Sequence, residues 1–346
     1  MSLPGRFKIR ALELAQPITA HLELTYRCNW RCVFCYNPRH HDFKRLSGEE
    51  WTAVLDDLRE LGTLTVTLTG GEPMTHPEFF EIARAARARA FALRIFTNGS
   101  LVTEAAADEI AALYPLGVEM SLHGATADVH DRATGTPGSF DRMIEGFGRL
   151  RKRAVPLVLK TPLTRLNEHQ LAEMMALVEG MGIPFQIDGT ITPKDDGDPS
   201  PLAYSASTGA IRRMLELARG TPKLEPVERQ HGGTNCGLGR ITVAVDPEGN
   251  VFPCLQWRHT SLGNVRQTRL AEMWRDSPER QEAAAVSVAA NEGMMALGPD
   301  IAAYSYCPAI AFQKTGSPLT PDPQVIAEAK IAAELRDEDS PSALSA

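Results

Sequence analysis

The sequence predicts an α/β fold built on parallel strands. Six β-rich segments alternate with helical segments between His21 and Asp188, and this alternation is typical of parallel strands joined by right-handed crossovers. Glycines and polar residues cluster after the first four strands, where α/β folds place their sites. With 346 residues, 43% of them hydrophobic, the chain is long enough for one large domain and a small one. The pattern alone leaves open a partial barrel, a full barrel or an open doubly wound sheet.

The predicted elements of the first half follow one another at short intervals. The first strand, residues 21–26, alternates polar and apolar residues and runs into a cysteine-rich loop. The next helix begins at Ser47, which can cap it while Glu50 completes a capping box. The other predicted strands are 64–69, 93–97, 117–122, 156–161 and 184–188, and the predicted helices are 47–61, 77–89, 104–113, 140–153 and 168–180.

The second half predicts a linker and a small α+β domain. Residues 192–207 are rich in Pro, Asp and Ser, and a helix is expected at 208–219. The segment 241–253 reads as a hairpin with its turn at Asp246–Asn250. Helices are expected at 270–274 and 325–335. The expected division is 1–190 for the barrel, 191–234 for the linker and helix, 235–335 for the small domain and 336–346 for a polar, disordered tail.

Composition excludes several classes of protein. The net charge of −7 does not favour a broad nucleic-acid-binding surface. No run of about eighteen apolar residues predicts a membrane span, and the first residues lack the apolar core of a signal peptide. Six cysteines in a chain of this length do not indicate a small secreted disulfide scaffold. We expect a cytoplasmic protein without nucleic-acid or membrane partners.

Three cysteines of one loop carry the first chemical signal. Cys28, Cys32 and Cys35 have the spacing Cys-x3-Cys-x2-Cys, which lets three thiolates surround one corner of an iron–sulfur cube. A 4Fe–4S cluster usually has four cysteine ligands, so three would leave one iron open to another ligand. Zinc is an alternative, with nitrogen ligands from His40 and His41. Three unrelated buried cysteines are the other alternative.

The segment Gly70-Gly71-Glu72-Pro73 follows the second strand. Two glycines let the backbone approach a ligand closely, and the carboxylate of Glu72 can accept a hydrogen bond from a ligand ammonium group. Alone, the segment would be an ordinary turn at the end of a strand. Thr97-Asn98-Gly99, after the third strand, is either a similar turn or a ligand contact.

The cysteine loop, with Phe34 before its last cysteine, and the GGEP segment together resemble the radical S-adenosylmethionine (SAM) enzymes. The resemblance implies an α/β fold of the partial (β/α)6 TIM-like barrel type over residues 20–189. It also implies that Cys28, Cys32 and Cys35 hold a 4Fe–4S cluster. The amino and carboxylate groups of SAM would chelate the open iron.

The run Ser121-Leu122-His123-Gly124, followed by HDR and PGSF, resembles the peptide-modifying branch of that family. In that branch Ser121 would contact the SAM ribose and Arg132 would pair with the SAM carboxylate. The aspartate that is common at position 123 is histidine here. The SAM-binding residues implied by the resemblance are Phe34, Tyr36, Gly70, Gly71, Glu72, Pro73, Asn98, Ser121, Arg132 and Asp188.

Three polar residues, His123, Lys160 and Asp188, each have more than one explanation. His123 is a ribose contact, a substrate contact or a buried histidine with satisfied hydrogen bonds. Lys160 and Asp188 lie at or near the ends of the fifth and sixth strands. Lys160 is a candidate substrate contact and Asp188 a candidate ribose or adenine contact, and each is equally well explained as a solvated or helix-pairing charge.

The remaining cysteines form a second group, Cys236, Cys254 and Cys307. The segment 236–254 reads Cys-x12-Gly-x4-Cys around the predicted hairpin and resembles the start of the SPASM/twitch extension of radical SAM maturases. The resemblance implies one auxiliary iron–sulfur cluster, of 4Fe–4S type, with three cysteine ligands and an unidentified fourth. Three unrelated buried cysteines are again the alternative.

The resemblance implies an enzyme that cleaves SAM reductively to a 5′-deoxyadenosyl radical, which then abstracts a substrate hydrogen. A flavodoxin- or ferredoxin-type protein would be the reductant. The expected substrate is a ribosomally made peptide, oxidised to a crosslink, a thioether or a dehydrogenated product, with a separate protein for any leader recognition. One alternative is a small-molecule substrate such as a sugar, cofactor precursor or tetrapyrrole. The other is a non-catalytic iron–sulfur or zinc sensor.

Overall fold

The computed structural model describes residues 3–218 and 224–338. Its strands are β1 (Thr19–Glu23), β2 (Thr65–Thr69), β3 (Ala92–Thr97), β4 (Gly117–Ser121), β5 (Leu157–Pro162), β6 (Phe185–Asp188), β7 (Thr242–Val245), β8 (Asn250–Phe252) and β9 (Gly263–Asn264). Its helices are α1 (Leu3–Leu14), α2 (Gly48–Glu60), α3 (Phe79–Ala88), α4 (Glu104–Ala112), α5 (Ala127–Thr134), α6 (Ser139–Lys152), α7 (Leu171–Met181), α8 (Thr208–Leu217), α9 (Leu270–Asp276), α10 (Pro278–Ala296), α11 (Pro299–Ala302), α12 (Pro308–Thr315) and α13 (Pro323–Glu338). None of these described helices is long and apolar enough to cross a membrane.

The six predicted strands form one parallel sheet in sequence order. Each of β1 to β5 pairs in parallel with the next strand, and helices return the chain between them. The full strand order is β6-β5-β4-β3-β2-β1-β7-β8-β9, so β6 and β9 are the two ends of an open sheet. The predicted partial (β/α)6 barrel is therefore confirmed, with an open rather than a closed sheet.

The predicted hairpin at 241–253 is confirmed, and it lies in the barrel sheet. Strands β7 and β8 pair antiparallel, while β7 pairs in parallel with β1. The turn is closed by Asp246, whose Oδ1 accepts hydrogen bonds from the backbone N–H groups of Glu248 and Asn250, both at 2.9 Å. The small C-terminal α+β region thus shares hydrogen bonds with the first strand of the barrel.

The two faces of the parallel sheet differ in polarity. Side chains alternate along each strand, and one set, including Leu22, Leu68 and Ile95, packs with α2, α3, α4 and α6 in the main hydrophobic core. The other set faces the inside of the barrel, which we call the lumen. Its members are mostly polar or charged: His21, Glu23, Thr67, Thr69, Arg94, Phe96, Glu119, Ser121, Lys160 and Gln186. The lumen is therefore suited to a polar ligand.

Local sequence signals account for several elements. The Oγ of Ser47 accepts a hydrogen bond from the N–H of Glu50, and the side chain of Glu50 bonds back to the N–H of Ser47. This capping box starts α2 where the sequence predicted it.

Helices α1, α5, α10, α11 and α12 were not predicted. The predicted disordered tail begins at 336, but α13 continues to Glu338, and residues 339–346 lie outside the described part of the chain.

Candidate active site

The cysteine loop connects β1 to α2 and is closed by side-chain hydrogen bonds. The carboxylate of Asp42 accepts hydrogen bonds from Thr25 Oγ1 at 2.6 Å and from the N–H of Tyr26 at 2.7 Å. The Nδ2 of Asn37 donates to the carbonyl of Tyr26 at 2.8 Å. The start and the end of the loop are therefore fixed together, with the three cysteines between them.

The three thiols of this loop lie close enough to influence one another. Burial, with smaller contributions from Glu72 and Cys35, raises the pKa of Cys28 to about 12. Burial also raises the pKa values of Cys32 and Cys35, and the charges of Cys28 and Cys35 add to the effect at Cys32. Half-buried thiols with mutual repulsion become stable thiolates only when a cation compensates their charge. This donor set fits an iron–sulfur cluster.

A single metal ion suits these residues less well. Among the described residues, no three Cys, His, Asp or Glu side chains converge on one point as the ligands of one ion would. A four-iron cube assigns each thiolate to a separate iron, so its ligands surround a shared space instead of meeting at a point. Of the two histidines considered for zinc, His41 packs its ring against Phe43 at 4.6 Å.

The two glycines of the GGEP segment bring the end of β2 against the cysteine loop. The N–H of Gly71 donates to the carbonyl of Thr25 at 2.7 Å, and the N–H of Glu72 donates to the carbonyl of Arg27 at 2.8 Å. A Cβ atom on Gly71 would lie 2.3 Å from the carbonyl oxygen of Arg27. Gly70 has φ +134°, which favours glycine, and its Cβ would lie 2.4 Å from the carbonyl oxygen of Thr25. The close approach that these glycines allow is to the loop backbone.

Glu72 is buried where the second and third strands end. It accepts hydrogen bonds from the N–H of Asn98 at 2.7 Å, from Thr97 Oγ1 at 2.8 Å and from the N–H of Met74 at 3.1 Å. Burial raises the pKa of Glu72 to about 7 despite these donors. A carboxylate offers about four acceptor positions, and these three donors occupy three of them. Pro73, also buried, begins the short 3-10 turn Pro73–Thr75.

Asn98 joins the third strand to the cysteine loop. Its Nδ2 donates to Asn29 Oδ1 at 2.8 Å and lies 4.0 Å from Cys28 Sγ. Its Oδ1 accepts from the N–H of Ser100 at 2.9 Å. Asn98 is therefore both part of a turn and a neighbour of the first cysteine.

His123 is buried and packed against the loop. Its ring lies 5.0 Å from that of Phe34 and 6.3 Å from that of Trp30. The backbone N–H of His123 donates to His130 Nδ1 at 3.1 Å. Burial lowers the pKa of His123 well below its usual range, so the ring is neutral at physiological pH. These contacts favour the buried, packed histidine among the three predicted alternatives.

Other predicted SAM-binding residues have partners of their own. Tyr36 donates its hydroxyl to Glu23 Oε1 at 3.1 Å. Arg132 lies on the exposed face of α5 with an ion pair to Asp128 at 3.0 Å. Exposed Asp188 accepts from the N–H of Thr190 at 2.8 Å. Ser121 ends β4 at the position that pairs with Lys160 on β5.

Lys160 belongs to a charged group that the sequence did not reveal. Its Nζ pairs with Glu119 on β4, and Glu119 also pairs with Arg94 on β3. The ring of Phe96 lies 4.2 Å from Lys160 Nζ. Only the strand register could have indicated this group, because the sequence gives each residue as an isolated charge in a strand.

The second group of cysteines also comes together. Cys236, Cys254 and Cys307 pack in one small cluster with Leu238 and Trp257. The Oγ of Ser287 on α10 donates to the carbonyl of Cys236 at 2.8 Å and accepts from its N–H at 3.0 Å. Burial, aided by the charges of Cys254 and Cys236, raises the pKa of Cys307 to about 12. This donor set, like the first, fits an iron–sulfur cluster better than three free thiolates.

Comparisons with known proteins agree with this architecture. Residues 22–178 match the radical SAM superfamily, and residues 236–297 match SPASM, an iron–sulfur cluster-binding domain. A PqqA peptide cyclase of Ruegeria pomeroyi is 29% identical over 75% of this chain and 74% of its own. A mycofactocin maturase MftC of Mycolicibacterium smegmatis is 29% identical over 90% of this chain and 83% of its own. An AdoMet-dependent heme synthase of Methanosarcina barkeri is 27% identical over 74% of this chain and 81% of its own.

Solved structures share the fold. Native anSMEcpe with bound AdoMet and Cp18Cys peptide has a TM-score of 0.71 and 17% identity, over 92% of this chain and 98% of that chain. Streptococcus suis SuiB bound to its precursor peptide SuiA has a TM-score of 0.65 and 16% identity, over 80% of this chain and 70% of that chain. Iron–sulfur clusters and SAM are the cofactors of the matched domains. The chain therefore carries a radical SAM domain followed by a C-terminal SPASM iron–sulfur cluster-binding domain.

Proposed function

We propose that this enzyme oxidatively modifies a ribosomally made peptide, forming a crosslink, a thioether or a dehydrogenated residue. Cys28, Cys32 and Cys35 would hold a 4Fe–4S cluster with SAM at its open iron. When bound, the cluster and SAM supply reductive SAM cleavage and abstraction of a substrate hydrogen atom. One observation carries the proposal. Hydrogen bonds join the cysteine loop, Glu72 and Asn98 at the carboxyl edge of the open barrel.

Several residues around this loop would hold SAM. Glu72 keeps one acceptor position for the SAM ammonium group, and Asn98 lies beside Cys28. Gly70, Gly71 and Pro73 set the backbone on which Glu72 sits, while Phe34, Tyr36 and Ser121 border the same edge. Arg132 and Asp188 would have to exchange their present partners to reach SAM, so of the ten proposed SAM-binding residues these two have the weakest support.

The peptide substrate is supported by the relatives. Two of them are named for peptide cyclisation and for mycofactocin maturation. The auxiliary cluster, of 4Fe–4S type and held by Cys236, Cys254 and Cys307, would supply an acceptor for the substrate electron, which makes the net reaction an oxidation. A flavodoxin- or ferredoxin-type protein would reduce the first cluster. A separate leader-binding protein is part of the same proposal.

A second candidate function is modification of a tetrapyrrole or another small molecule, and the heme synthase relative favours it. The reconstituted enzyme, SAM and reductant should be incubated in parallel with peptides encoded beside its gene and with carboxylated porphyrins. Loss of hydrogen from a peptide, detected by mass spectrometry, supports the first proposal. A mass change of a porphyrin with unchanged peptides would replace it with the second.

The role of the auxiliary cluster needs its own test, because losing a metal site can also cost folding energy. Cys307→Ala should be compared with wild type for thermal stability, SAM cleavage and product. We expect a folded variant that still cleaves SAM but forms little product. Normal product from a folded variant without the second cluster would contradict a catalytic role.

A further inference from the structure

The lumen contains two cations that share one buried carboxylate. Glu119 on β4 is 1% exposed, and it pairs with Arg94 on β3 and Lys160 on β5. The side chains of Arg94 and Lys160 are each 34% exposed, so both can be reached from inside the open barrel. Two positive charges against one negative charge leave one charge without a counter-ion.

Among the described residues, no carboxylate besides Glu119 pairs with Arg94 or Lys160. Phe96 stabilises both cations with its ring face, at 4.2 Å from Lys160 Nζ and 5.6 Å from Arg94 Cζ, but it carries no charge. The nearby carboxylates Glu23 and Asp195 face Arg258, Glu23 in direct contact and Asp195 at 3.7 Å. The charges of these two carboxylates are therefore directed at Arg258 and not at Arg94 or Lys160.

The pKa of His21 reflects the positive charges around it. Burial is the main cause that lowers its pKa to about 4, and the charges of Arg94, Lys160 and Arg258 lower it further. His21 is therefore neutral at physiological pH and adds no positive charge of its own. Partly buried charges are costly unless they are paired, so this arrangement is best satisfied by an anionic ligand.

The charged group lies on the same strand faces as a proposed SAM contact. Glu119 lies two residues before Ser121 on the same face of β4, and Ser121 pairs in register with Lys160. Ser121 is one of the residues proposed to contact SAM. Lys160 therefore lies level with this proposed SAM contact, and Arg94, in register with Gly117, lies four residues deeper along the lumen face.

We propose that Arg94 and Lys160 bind a carboxylate of the substrate in the lumen, while Glu119 holds the two cations in position. The inference rests on the proposed peptide-modifying function and adds the chemical class of the group that is recognised. A guanidinium can bind a carboxylate through two parallel hydrogen bonds, and the ammonium of Lys160 adds a third donor. The carboxylate would belong to an acidic side chain or to the C-terminus of the peptide.

Protection of Lys160 from an amine-acetylating reagent tests this proposal. The iron-loaded enzyme with SAM and no reductant is labelled in the presence of one of three probes, and mass spectrometry follows acetylation of Lys160. N-acetyl-glutamic acid α-amide carries only a side-chain carboxylate, N-acetyl-glutamine only a terminal one, and N-acetyl-glutaminamide neither. At saturating probe we expect acetylation about tenfold slower with one or both of the two carboxylate probes, and unchanged with the neutral amide.

Each outcome decides the proposal. Protection by the first probe alone assigns an acidic side chain, protection by the second alone assigns a C-terminus, and protection by both supports a general carboxylate site. No protection, or equal protection by the neutral amide, would overturn it. Arg94→Gln should abolish protection. The matched control is Arg84→Gln, which should keep protection because Arg84 pairs with Glu109 on the outer surface. If Arg94→Gln does not fold, as judged by circular dichroism, the three probes on the wild type still decide.

Failure here is distinguishable from failure of the proposed function. An enzyme that holds iron and cleaves SAM but shows no carboxylate protection keeps its proposed function and loses only this inference. An iron-loaded enzyme that shows carboxylate protection but does not cleave SAM once reductant is added would lose the proposed function instead.

Discussion

Tyr36 directly follows the third cysteine of the loop, and its hydroxyl donates a hydrogen bond to Glu23 Oε1 at 3.1 Å. The other oxygen of Glu23 pairs with Arg258, four residues after Cys254 of the second cysteine group. Glu23 is 1% exposed and the side chain of Arg258 is 8% exposed. One buried carboxylate at the end of β1 therefore ties the two cysteine groups together.

Removing Arg258 should destabilise the protein strongly. Arg258→Met leaves Glu23 buried without its cation, and breaking a buried pair in this way costs about 3–5 kcal/mol. Arg84→Gln removes an exposed pair with Glu109 and should cost at most about 1 kcal/mol. The free energy of unfolding in urea measures both. Equal, small losses in the two variants would contradict the link between the cysteine groups through Glu23.

Gly71 should not tolerate a side chain, whereas Gly148 should. The Cβ of Gly71→Ala would lie 2.3 Å from the carbonyl oxygen of Arg27, so the cysteine loop must move, at roughly 1–3 kcal/mol. Nothing lies within 4 Å of a Cβ on Gly148, in the middle of α6, so Gly148→Ala should stabilise by about 0.5–1 kcal/mol. Thermal unfolding and iron content of both variants test this. Full iron loading of a stable Gly71→Ala variant would show that the close approach is not needed.

Acetylation of Lys160 should depend on pH in an unusual range. Burial and the neighbouring charge of Arg94 lower the pKa of Lys160 from 10.5 to about 8. Only the neutral amine reacts, so the rate should rise up to about pH 8 and level off above it. The exposed Lys152 on α6 serves as a reference for reagent decay in the same sample. A rate that still rises steeply above pH 10 would mean that the pair with Glu119 outweighs burial.

Two clusters predict a specific iron content. Fully reconstituted protein should hold about eight irons per chain, at four per cube. The variant with Cys28, Cys32 and Cys35 all changed to Ala should keep about half, because the second group packs separately around Trp257. Iron analysis of folded protein measures this. A triple variant without iron would mean that Cys236, Cys254 and Cys307 hold no cluster of their own.

Much of the barrel could be predicted because its signals are local. The Ser47 cap, the strand-end turn at Gly70-Gly71 and the alternation of strands and helices lie within short stretches of sequence. The pairing of β7 with β1 and the contact of Arg258 with Glu23 could not be predicted, since the latter joins residues 235 positions apart. Helix α10 was missed because its alanine-rich sequence has no clear apolar stripe, and α5 because its 8 residues are too few to show the helical period clearly. The charged group in the lumen depends on register across three strands.

Formation of 5′-deoxyadenosine tests the central claim most directly. The protein is reconstituted with iron and sulfide under anaerobic conditions, mixed with SAM and dithionite, and its products are separated by chromatography, with and without candidate peptides. We predict 5′-deoxyadenosine from the wild type and none from the variant lacking Cys28, Cys32 and Cys35. Iron-loaded wild type that forms none under any of these conditions, or a protein that binds zinc tightly and little iron, would contradict the account.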